Sequence, residues 1–303
     1  MSGVLALYTT VYPGAERFLP AWYQSVCAQT DRDFDIWIGA DQVEARLVAD
    51  AIGKGFNARS FIAPERGTPA TVRQNAIDAI LSSEKDYPAI VFVDCDDLLY
   101  PHRVEAARNL LQNSDISGCA MDIVEENGSF TGLSFHPPAL SEIPQMLARA
   151  NIFGLSNTTY RTDMLRRLPP APAQCRLMDW FMATAAWAQG ASFSFEKTPQ
   201  MQYRQYGQNT ARILPPFTAD DICRATALVV EHYKHVLAYI PEIPTATRTA
   251  LEAEQARVQR FADRIVQSLE RIERYVTGIN QLPATHIWWD YVAHPSLESQ
   301  WKD

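Results

Sequence analysis

Short apolar runs alternate with amphipathic segments along the first third of the chain. Four runs end in polar or turn-forming residues and have the length of buried strands: residues 4–8, 34–40, 59–63 and 89–94. Between them, apolar residues recur every three or four positions, which is typical of helices. Two sets show this spacing: Leu19, Trp22, Tyr23 and Val26, and then Val72, Ala76, Ile77 and Ile80. Strands that alternate with helices predict βαβ units and a parallel sheet.

The pattern changes after residue 115. Two strand-like stretches meet at Asn127-Gly128, a dipeptide that favours a tight hairpin. Another strand then leads into a short helix within residues 151–170. Residues 177–190 predict a helix with Gly190 at its C′ position. The last elements predicted in this part are two separate strands, 191–197 and 200–206.

Beyond residue 217 the pattern becomes helical. Thr218 or Asp220 is a candidate cap for a helix that reaches Tyr239, where two nearby prolines end it. Residues 245–280 predict one long helix, because apolar residues recur there at spacings of three and four. This apolar stripe consists of Val258, Phe261, Ile265, Leu269, Ile272, Val276 and Ile279. The final residues, 284–301, are rich in aromatic side chains but have no period.

Composition and charge limit the class of protein. The 303 residues are 47% apolar and 20% charged, which is the composition of a globular protein with a sizeable core. The formal net charge of −8 argues against a nucleic-acid partner, which needs a basic face. It does not argue against phosphorylated small molecules, because local arginines and a metal ion can override the overall sign.

Cysteine usage and the N-terminal residues predict a cytoplasmic protein. The five cysteines are scattered without a CxxC pair, so they indicate neither a disulfide framework nor a zinc site, and they fit a reducing compartment. The first residues have no basic segment before their short apolar run and do not resemble a signal peptide. No apolar run approaches the roughly 18–20 residues of a membrane span.

Three carboxylates directly follow one of the predicted strands. In VFVDCDDLLYP, residues 91–101, Asp94 and Asp96 point the same way if the strand continues through them. Mg²⁺ and Mn²⁺ prefer such hard oxygen ligands, often one or two carboxylates together with phosphate oxygens of a substrate. The ends of the other predicted strands place Thr10 and Asp41 at the same edge of the sheet, where α/β proteins bind ligands.

The acidic stretch also has two simpler or different interpretations. The first is a solvated turn whose aspartates cap the next helix. The phosphohydrolase pattern DxDx(T/V), in which the first aspartate is a nucleophile, is a second possibility. Here the fourth position is Asp97 instead of Thr or Val, and the cluster lies a third of the way along the chain.

Five short motifs follow one another between about residues 4 and 212. The first strand ends in Thr10-Val11-Tyr12, the next helix carries SVCAQT, and the second strand ends at Asp41. VFVDCDDLLYPHRVE is a hydrophobic strand with Asp-x-Asp-Asp and a downstream proline. LMDWFMATAAWAQG and YRQYGQNTAR follow as a helix that begins with an acidic residue and a late Tyr-Arg stretch. In order and spacing, this series resembles the family 2 glycosyltransferases of the GT-A fold.

The resemblance implies a fold, a domain organisation and a reaction. It implies an α/β GT-A, Rossmann-like domain with a central, mostly parallel sheet over residues 1–217, in which the nucleotide-binding half is about 1–115 and the acceptor half 116–217. A helical extension, 218–303, follows. The implied reaction is an inverting, metal-dependent transfer of a sugar from a nucleotide-diphosphate donor to a hydroxyl of a saccharide or lipid-linked acceptor, as in polysaccharide biosynthesis, with Mn²⁺ or Mg²⁺ as cofactor.

Donor-site roles follow from the same resemblance. Thr10 and Asp41 would line the nucleotide pocket, with Asp41 bonded to the base, and Arg73 would contact base or phosphate. Asp94 would contact the ribose, or the metal through water, and Asp96 would bind the metal directly. The simpler alternatives are a helix cap for Asp41 and a solvated helix arginine for Arg73.

The same resemblance makes Asp179 the general base, which takes a proton from the acceptor hydroxyl. Its alternative role is a helix N-terminal aspartate that interacts with the helix dipole. Trp180 and Trp187 are candidates for stacking on a sugar, although aromatic residues at helical spacing usually belong to a core. His232 and His235 lie three apart on a helix, but no carboxylate nearby completes a metal site.

The chain also departs from the family pattern. Ala40 replaces the first of two paired aspartates, Met178 replaces an acidic residue before the base, and Tyr206 stands where many members carry a histidine. No asparagine follows Tyr12. These departures leave a second hypothesis open, a catalytically degenerate GT-A-like binding or assembly module. The apolar stripe suits packing onto the catalytic domain or a homodimer contact, and its mixed Glu/Arg polar face suits at most a peripheral membrane contact.

Overall fold

A nine-stranded mixed sheet forms the centre of the computed structural model, which describes residues 2–53, 60–62 (backbone only), 67–207 and 209–302. Its strands are β1 (Leu5–Val11), β2 (Phe34–Ala40), β3 (Ser60–Ile62), β4 (Ala89–Phe92), β5 (Leu98–Leu99), β6 (Ile116–Glu125), β7 (Phe130–Phe135), β8 (Thr158–Arg161) and β9 (Phe193–Gln205). Their order is β3-β2-β1-β4-β8-β6-β9-β5, and β7 pairs with β6. Arg59 and Ala63, the ends of one predicted strand, lie outside the described residues.

The parallel part of the sheet is the part that the sequence predicts best. β1 lies between β2 and β4, and β2 continues to β3, all in parallel. β8 then pairs antiparallel with β4 and β6, and β6 runs parallel to β9. The predicted hairpin is confirmed, since β6 and β7 pair antiparallel around Gly128, whose φ of 86° suits glycine.

Helices cover both faces of the sheet. They are α1 (Leu19–Cys27), α2 (Ala45–Ile52), α3 (Pro69–Leu81), α4 (Arg103–Leu110), α5 (Ile143–Arg149), α6 (Thr162–Leu165), α7 (Met178–Ala188), α8 (Ala219–Tyr239), α9 (Thr245–Phe261) and α10 (Leu269–Ile279). Within the described ranges, every helix is too short or too polar to cross a membrane.

Alternation along the strands divides the apolar side chains between two cores. In β1, Leu5 and Leu7 join one core with α1, while Ala6 and Tyr8 join the other with α3. Successive residues of a strand point to opposite faces, so a strand buried on both faces must be apolar throughout. This explains why the first strands read as continuous apolar runs.

Two predicted elements differ from the structure. The strands predicted at 191–197 and 200–206 form one strand, β9, which bulges where its register against β6 shifts between Cys119 and Met121. Pro199, which cannot donate a ladder hydrogen bond, lies in this irregular part.

The long helix predicted at 245–280 is also interrupted. α9 ends in a π-helical turn, Ala262–Val266, and α10 starts anew after Ser268, whose side chain accepts a hydrogen bond from the Arg271 amide. The break changes the helical phase, so Leu269 of the apolar stripe is 81% exposed. Ile265 and Ile272, on either side of it, are buried within the chain.

The aromatic tail, which has no sequence period, folds back onto the sheet domain. Trp288 forms a bridge with Asn151, and its indole nitrogen donates to the Tyr203 hydroxyl at 3.1 Å. Asp290 accepts from Arg149 at 2.6 Å. Residues on both sides of position 217 therefore share one apolar core.

α8 begins and packs as its sequence indicates. Thr218 caps it in a capping box with Asp221, so Thr218 and not Asp220 is the cap. His232 of this helix is buried and stacks on Trp180, with ring centroids 3.8 Å apart. Neither of its ring nitrogens has a hydrogen-bond partner among the described residues. Burial therefore holds the pKa of His232 well below its ordinary 6.5.

We expect His232 to weaken the fold in mild acid. A base whose folded pKa is lowered leaves stability intact above its unfolded pKa of about 6.5, and stability falls as pH drops below that value. The loss is about 1.4 kcal/mol at pH 5.5 relative to pH 7.5. Urea unfolding at both pH values should show a smaller acid loss for His232→Phe, which keeps the stack on Trp180. An unchanged loss, compared with wild type and the exposed His136→Gln control, would contradict the assignment.

Candidate active site

One cavity collects the residues that the sequence singles out. Its volume is about 760 Å³, and it opens at the carboxyl ends of β1, β2 and β4. The side chains of all six candidates line it: Thr10, Asp41, Arg73, Asp94, Asp96 and Asp179. Because parallel strands end at a common edge, residues far apart in sequence meet there.

A turn, and not a continued strand, aims the two aspartates into the cavity. β4 ends at Phe92, and the chain turns so that the Asp97 amide donates to the Asp94 carbonyl at 3.2 Å. The condition that the strand continues through Asp96 is therefore not met. The turn brings Asp94 and Asp96 to the same cavity by a different route.

Two tyrosine hydroxyls hold Asp96. Tyr12 and Tyr206 donate to its Oδ2 at 3.0 and 2.8 Å, and their own hydroxyl oxygens lie 2.7 Å apart. No described residue donates to the other carboxylate oxygen, Oδ1. Tyr12, which belongs to the first family-like motif, and Tyr206, which departs from the family pattern, thus both contact the central carboxylate.

Asp97 supports the turn from behind and does not cap α4. It is 1% exposed and accepts hydrogen bonds from the Ser156 hydroxyl at 2.5 Å and the Arg204 amide at 2.8 Å. Burial raises the pKa of Asp97 well above its ordinary value, and the nearby charges of Asp94 and Asp96 add to this. Ser156 also accepts from the Asp94 amide at 3.0 Å, so one hydroxyl joins both ends of the turn.

Arg73 faces the acidic pair from α3. Its Nη2 lies 3.9 Å from Asp94 Oδ1, and its buried Nε has no hydrogen-bond partner in the described chain. Burial raises the pKa of Asp94 to about 6. The negative charges of Asp96 and Asp179 also raise this pKa, whereas the positive charge of Arg73 lowers it. An unsatisfied guanidinium donor on a cavity wall suits an anionic ligand.

Asp179 lies in the first turn of α7 with its carboxylate held at both oxygens. The Asn151 side-chain amide donates to Oδ2 at 2.8 Å, and the Trp180 amide donates to Oδ1 at 2.9 Å. Burial nevertheless raises the pKa of Asp179, although these donors and the Arg73 charge act in the opposite direction. The group is therefore a stronger base than an ordinary aspartate, and Asn151 fixes its orientation.

The acidic pair fits a divalent cation that a substrate helps to hold. Among the described residues, no cluster of three or more His, Cys, Asp or Glu side chains could bind an ion alone. Mg²⁺ and Mn²⁺ commonly use one or two carboxylates and take further oxygens from phosphate and water. Asp94 and Asp96, with the uncommitted Oδ1 of Asp96, are a donor set of that kind.

Solved structures share this architecture. No family model matches the chain, and no curated protein sequence matches it. The crystal structure of S. aureus TarS 1-349 has a TM-score of 0.59 at 15% identity, covering 91% of this chain and 78% of that chain. Its complex with UDP-GlcNAc gives 0.60 at 15% identity, covering 90% and 78%. The mannosyltransferase PcManGT from Pyrobaculum calidifontis, in complex with GDP-Man and Mn²⁺, gives 0.54 at 14%, covering 98% and 84%.

The fold is GT-A-like. At these identities the comparison establishes the fold alone, and it confirms the predicted α/β class with its curled, mostly parallel sheet and helical C-terminal part. The roles of individual residues come from the geometry of this chain.

Sequence reasoning missed several residues of the cavity wall. Trp288 and Trp289 of the tail line the cavity. Trp180 is buried, and its indole nitrogen donates to the Leu147 carbonyl. Trp187 is not among the residues that line the cavity. The suggested sugar-stacking role of Trp180 is therefore wrong. In the sequence, only the unusual density of aromatic residues in the tail, which has no period, pointed to Trp288 and Trp289.

We expect Ser156→Ala to loosen the acidic turn. The variant removes the hydroxyl donor of buried Asp97 and the acceptor of the Asp94 amide, and leaving buried polar groups unpaired costs about 1–3 kcal/mol each. The free energy of unfolding should fall by about 2 kcal/mol, as measured by urea denaturation. The exposed Ser296→Ala is the matched control. Equal stabilities of the two variants would show that the Ser156 contacts contribute nothing.

Proposed function

We propose that this protein is an inverting, metal-dependent glycosyltransferase that uses a nucleotide-diphosphate sugar. One observation carries the proposal: the Asp94–Asp96 pair and the oriented carboxylate of Asp179 line the same cavity of a GT-A-like fold. A volume of about 760 Å³ is within the roughly 300–1,000 Å³ typical of small-molecule sites. The acceptor is a hydroxyl of a saccharide, free or lipid-linked.

The donor would bind along the ends of the parallel strands. In this proposal Thr10 and Asp41 contact the nucleoside, and the guanidinium of Arg73 contacts the base or phosphate. Two of the structural neighbours are described with UDP-GlcNAc and with GDP-Man, which supports a nucleotide-sugar donor in general. Neither neighbour identifies the base or sugar for this chain.

Asp96, together with Asp94, would hold the cation. The PcManGT complex contains Mn²⁺, which supports Mn²⁺ or Mg²⁺ here. When bound, such a cation supplies Lewis-acid stabilisation of the negative charge on a departing diphosphate. Tyr12 and Tyr206 position Asp96 by donating to Oδ2, so that Oδ1, which accepts from no described residue, would be free to hold the ion.

Asp179 would act as the general base. It accepts the proton of the acceptor hydroxyl while that oxygen forms a bond to the anomeric carbon and the bond from this carbon to the diphosphate breaks. One such displacement inverts the anomeric configuration. The raised pKa of Asp179 and its bond from Asn151 provide a base of suitable strength in a fixed orientation.

Nucleotide binding gives the first test. We expect one nucleoside diphosphate to raise the melting temperature in a manner that needs Mn²⁺, because a ligand at a hundredfold excess over Kd stabilises the folded state by about 2.7 kcal/mol. Asp96→Ala should abolish this shift, and the exposed Asp86→Ala should keep it. If no nucleotide shifts wild type with or without metal, the non-catalytic binding-module hypothesis replaces the enzyme. Phosphate-ester hydrolysis through a phosphorylated Asp94 would instead support the phosphohydrolase.

The proposed base gives a second, separate test. Asp179→Asn keeps the shape and the Trp180 contact but cannot accept a proton, so transfer of the sugar from the donor should fall by about 10²–10⁴-fold. The Mn²⁺-dependent nucleotide shift should persist, since Asp179 does not bind the donor in this proposal. Asp86→Asn is the matched control. A variant that transfers at the wild-type rate would remove Asp179 from the mechanism.

A further inference from the structure

A second cavity of about 760 Å³ lies beside the first. Its wall comes from the loop before α7, the loop after β9, one face of α8 and the aromatic tail. The two cavities share wall residues and are therefore direct neighbours. The shared residues are Arg176, Tyr206, Asn209, Thr210, Glu231 and Trp289.

The second cavity is basic although the protein is acidic overall. Three arginines line it, Arg176, Arg212 and Arg224, against two carboxylates, Asp221 and Glu231. The chain as a whole carries a formal net charge of −8, so this local excess of positive charge stands out. Local charge of this kind raises the local concentration of an oppositely charged ligand.

One of the two carboxylates is already engaged. Asp221 accepts from the Thr218 hydroxyl at 2.7 Å as part of the α8 cap, and from Arg224 Nη2 at 2.8 Å. Its side chain is only 9% exposed, and its pKa is lowered, because these hydrogen bonds together outweigh the effect of burial. Asp221 thus sits below the cavity surface, whereas the Arg224 side chain is 75% exposed and Arg212 is 47% exposed.

Arg176 adds a third cation to this wall. It is exposed at the junction of the two cavities, and no hydrogen bond or ion pair joins it to any residue that the structure describes. Arg212 donates from Nε to the Leu214 carbonyl at 3.0 Å, whereas its Nη1 lies 3.9 Å from Asp221, so its Nη groups make no hydrogen bond to the described residues. Guanidinium groups match the planar, multiply bonding geometry of carboxylate, sulfate and phosphate groups.

We propose that the second cavity binds an acidic saccharide, one that carries carboxylate, sulfate or phosphate groups, as the acceptor. This inference rests on the proposed glycosyltransferase function and specifies its substrate class. The donor diphosphate does not account for the basic wall, because Arg212 and Arg224 line the second cavity and not the first. The acceptor end would enter the first cavity past Arg176 and reach Asp179.

The geometry of α8 and the tail supports a built site. Asp221, Arg224, Leu228 and Glu231 recur every three or four residues, so one face of α8 forms a continuous wall. Opposite the helix, Trp289 has a φ of 69°, a left-handed conformation that is uncommon for a non-glycine residue. Such conformations cluster at binding sites, where surrounding contacts hold them.

Binding to immobilised saccharides tests the proposal without any catalytic step. The labelled full-length protein is applied, without nucleotide, to an array of neutral, carboxylated, sulfated and phosphorylated saccharides of matched length. We expect acidic members to bind at least about 10-fold more tightly than neutral ones, the effect of one or two charge-assisted hydrogen bonds. The double variant Arg212→Ala/Arg224→Ala should lose this preference, and the corresponding double lysine variant should keep part of it.

Controls separate this inference from the proposed function. Arg248→Ala/Arg260→Ala removes two arginines of α9 outside both cavities and should bind acidic saccharides like wild type. Equal binding of neutral and acidic saccharides, no binding of acidic ones, or binding insensitive to Arg212 and Arg224 would overturn the inference. The Mn²⁺-dependent nucleotide shift, measured on the same variants, should be unchanged. Its absence in wild type would count against the glycosyltransferase and not against the array result.

Discussion

Three carboxylates follow the end of one strand, and the need to stabilise them side by side governs the arrangement of this site. Within four positions, Asp94, Asp96 and Asp97 bring like charges into a partly buried space, where repulsion is stronger than in water. The surrounding residues accommodate each of these carboxylates in a different way. Asp97 is buried against Ser156 and Arg204, so elements beside β4 in the sheet must supply donors. The sheet order, with β8 next to β4 and β9 two strands further, brings those donors to the turn.

Asp96 is accommodated by two tyrosines, one of which, Tyr206, departs from the family pattern. Tyr12 and Tyr206 donate to one of its oxygens, and burial raises the pKa of both phenols, so they remain donors at any physiological pH. A histidine at position 206 would change charge with pH, whereas a phenol does not. The departure therefore indicates a different way of holding the carboxylate and does not by itself indicate a lost site.

Features that depend on residues close together in sequence could be predicted, whereas features that depend on distant contacts could not. Strand β2 and the C′ role of Gly190 depend on neighbours in sequence, and both were predictable. The cap of α8 was narrowed to Thr218 or Asp220, and the structure selects Thr218. The meeting of Thr10, Asp41 and the acidic pair was also predictable, because strand ends converge at one edge of a parallel sheet. Arg73 and Asp179 lie on helices, and only the family resemblance placed them at this site. The single bulged β9 and the break at Ser268 depend on pairing and packing with distant elements, which periodicity does not record.

The aromatic tail shows why long-range contacts matter for the chemistry. The Trp288 carbonyl accepts from the Asn151 amide at 3.1 Å, and the side chain of Asn151 holds Asp179. A Cβ added to Gly154 would lie 2.7 Å from the Trp288 ring, so only glycine allows this approach. The tail thus fixes the residue that orients the proposed base, and its next residue, Trp289, lines both cavities. In the proposed function, most donor contacts come from strand ends, whereas α8 and the tail supply much of the wall of the second cavity.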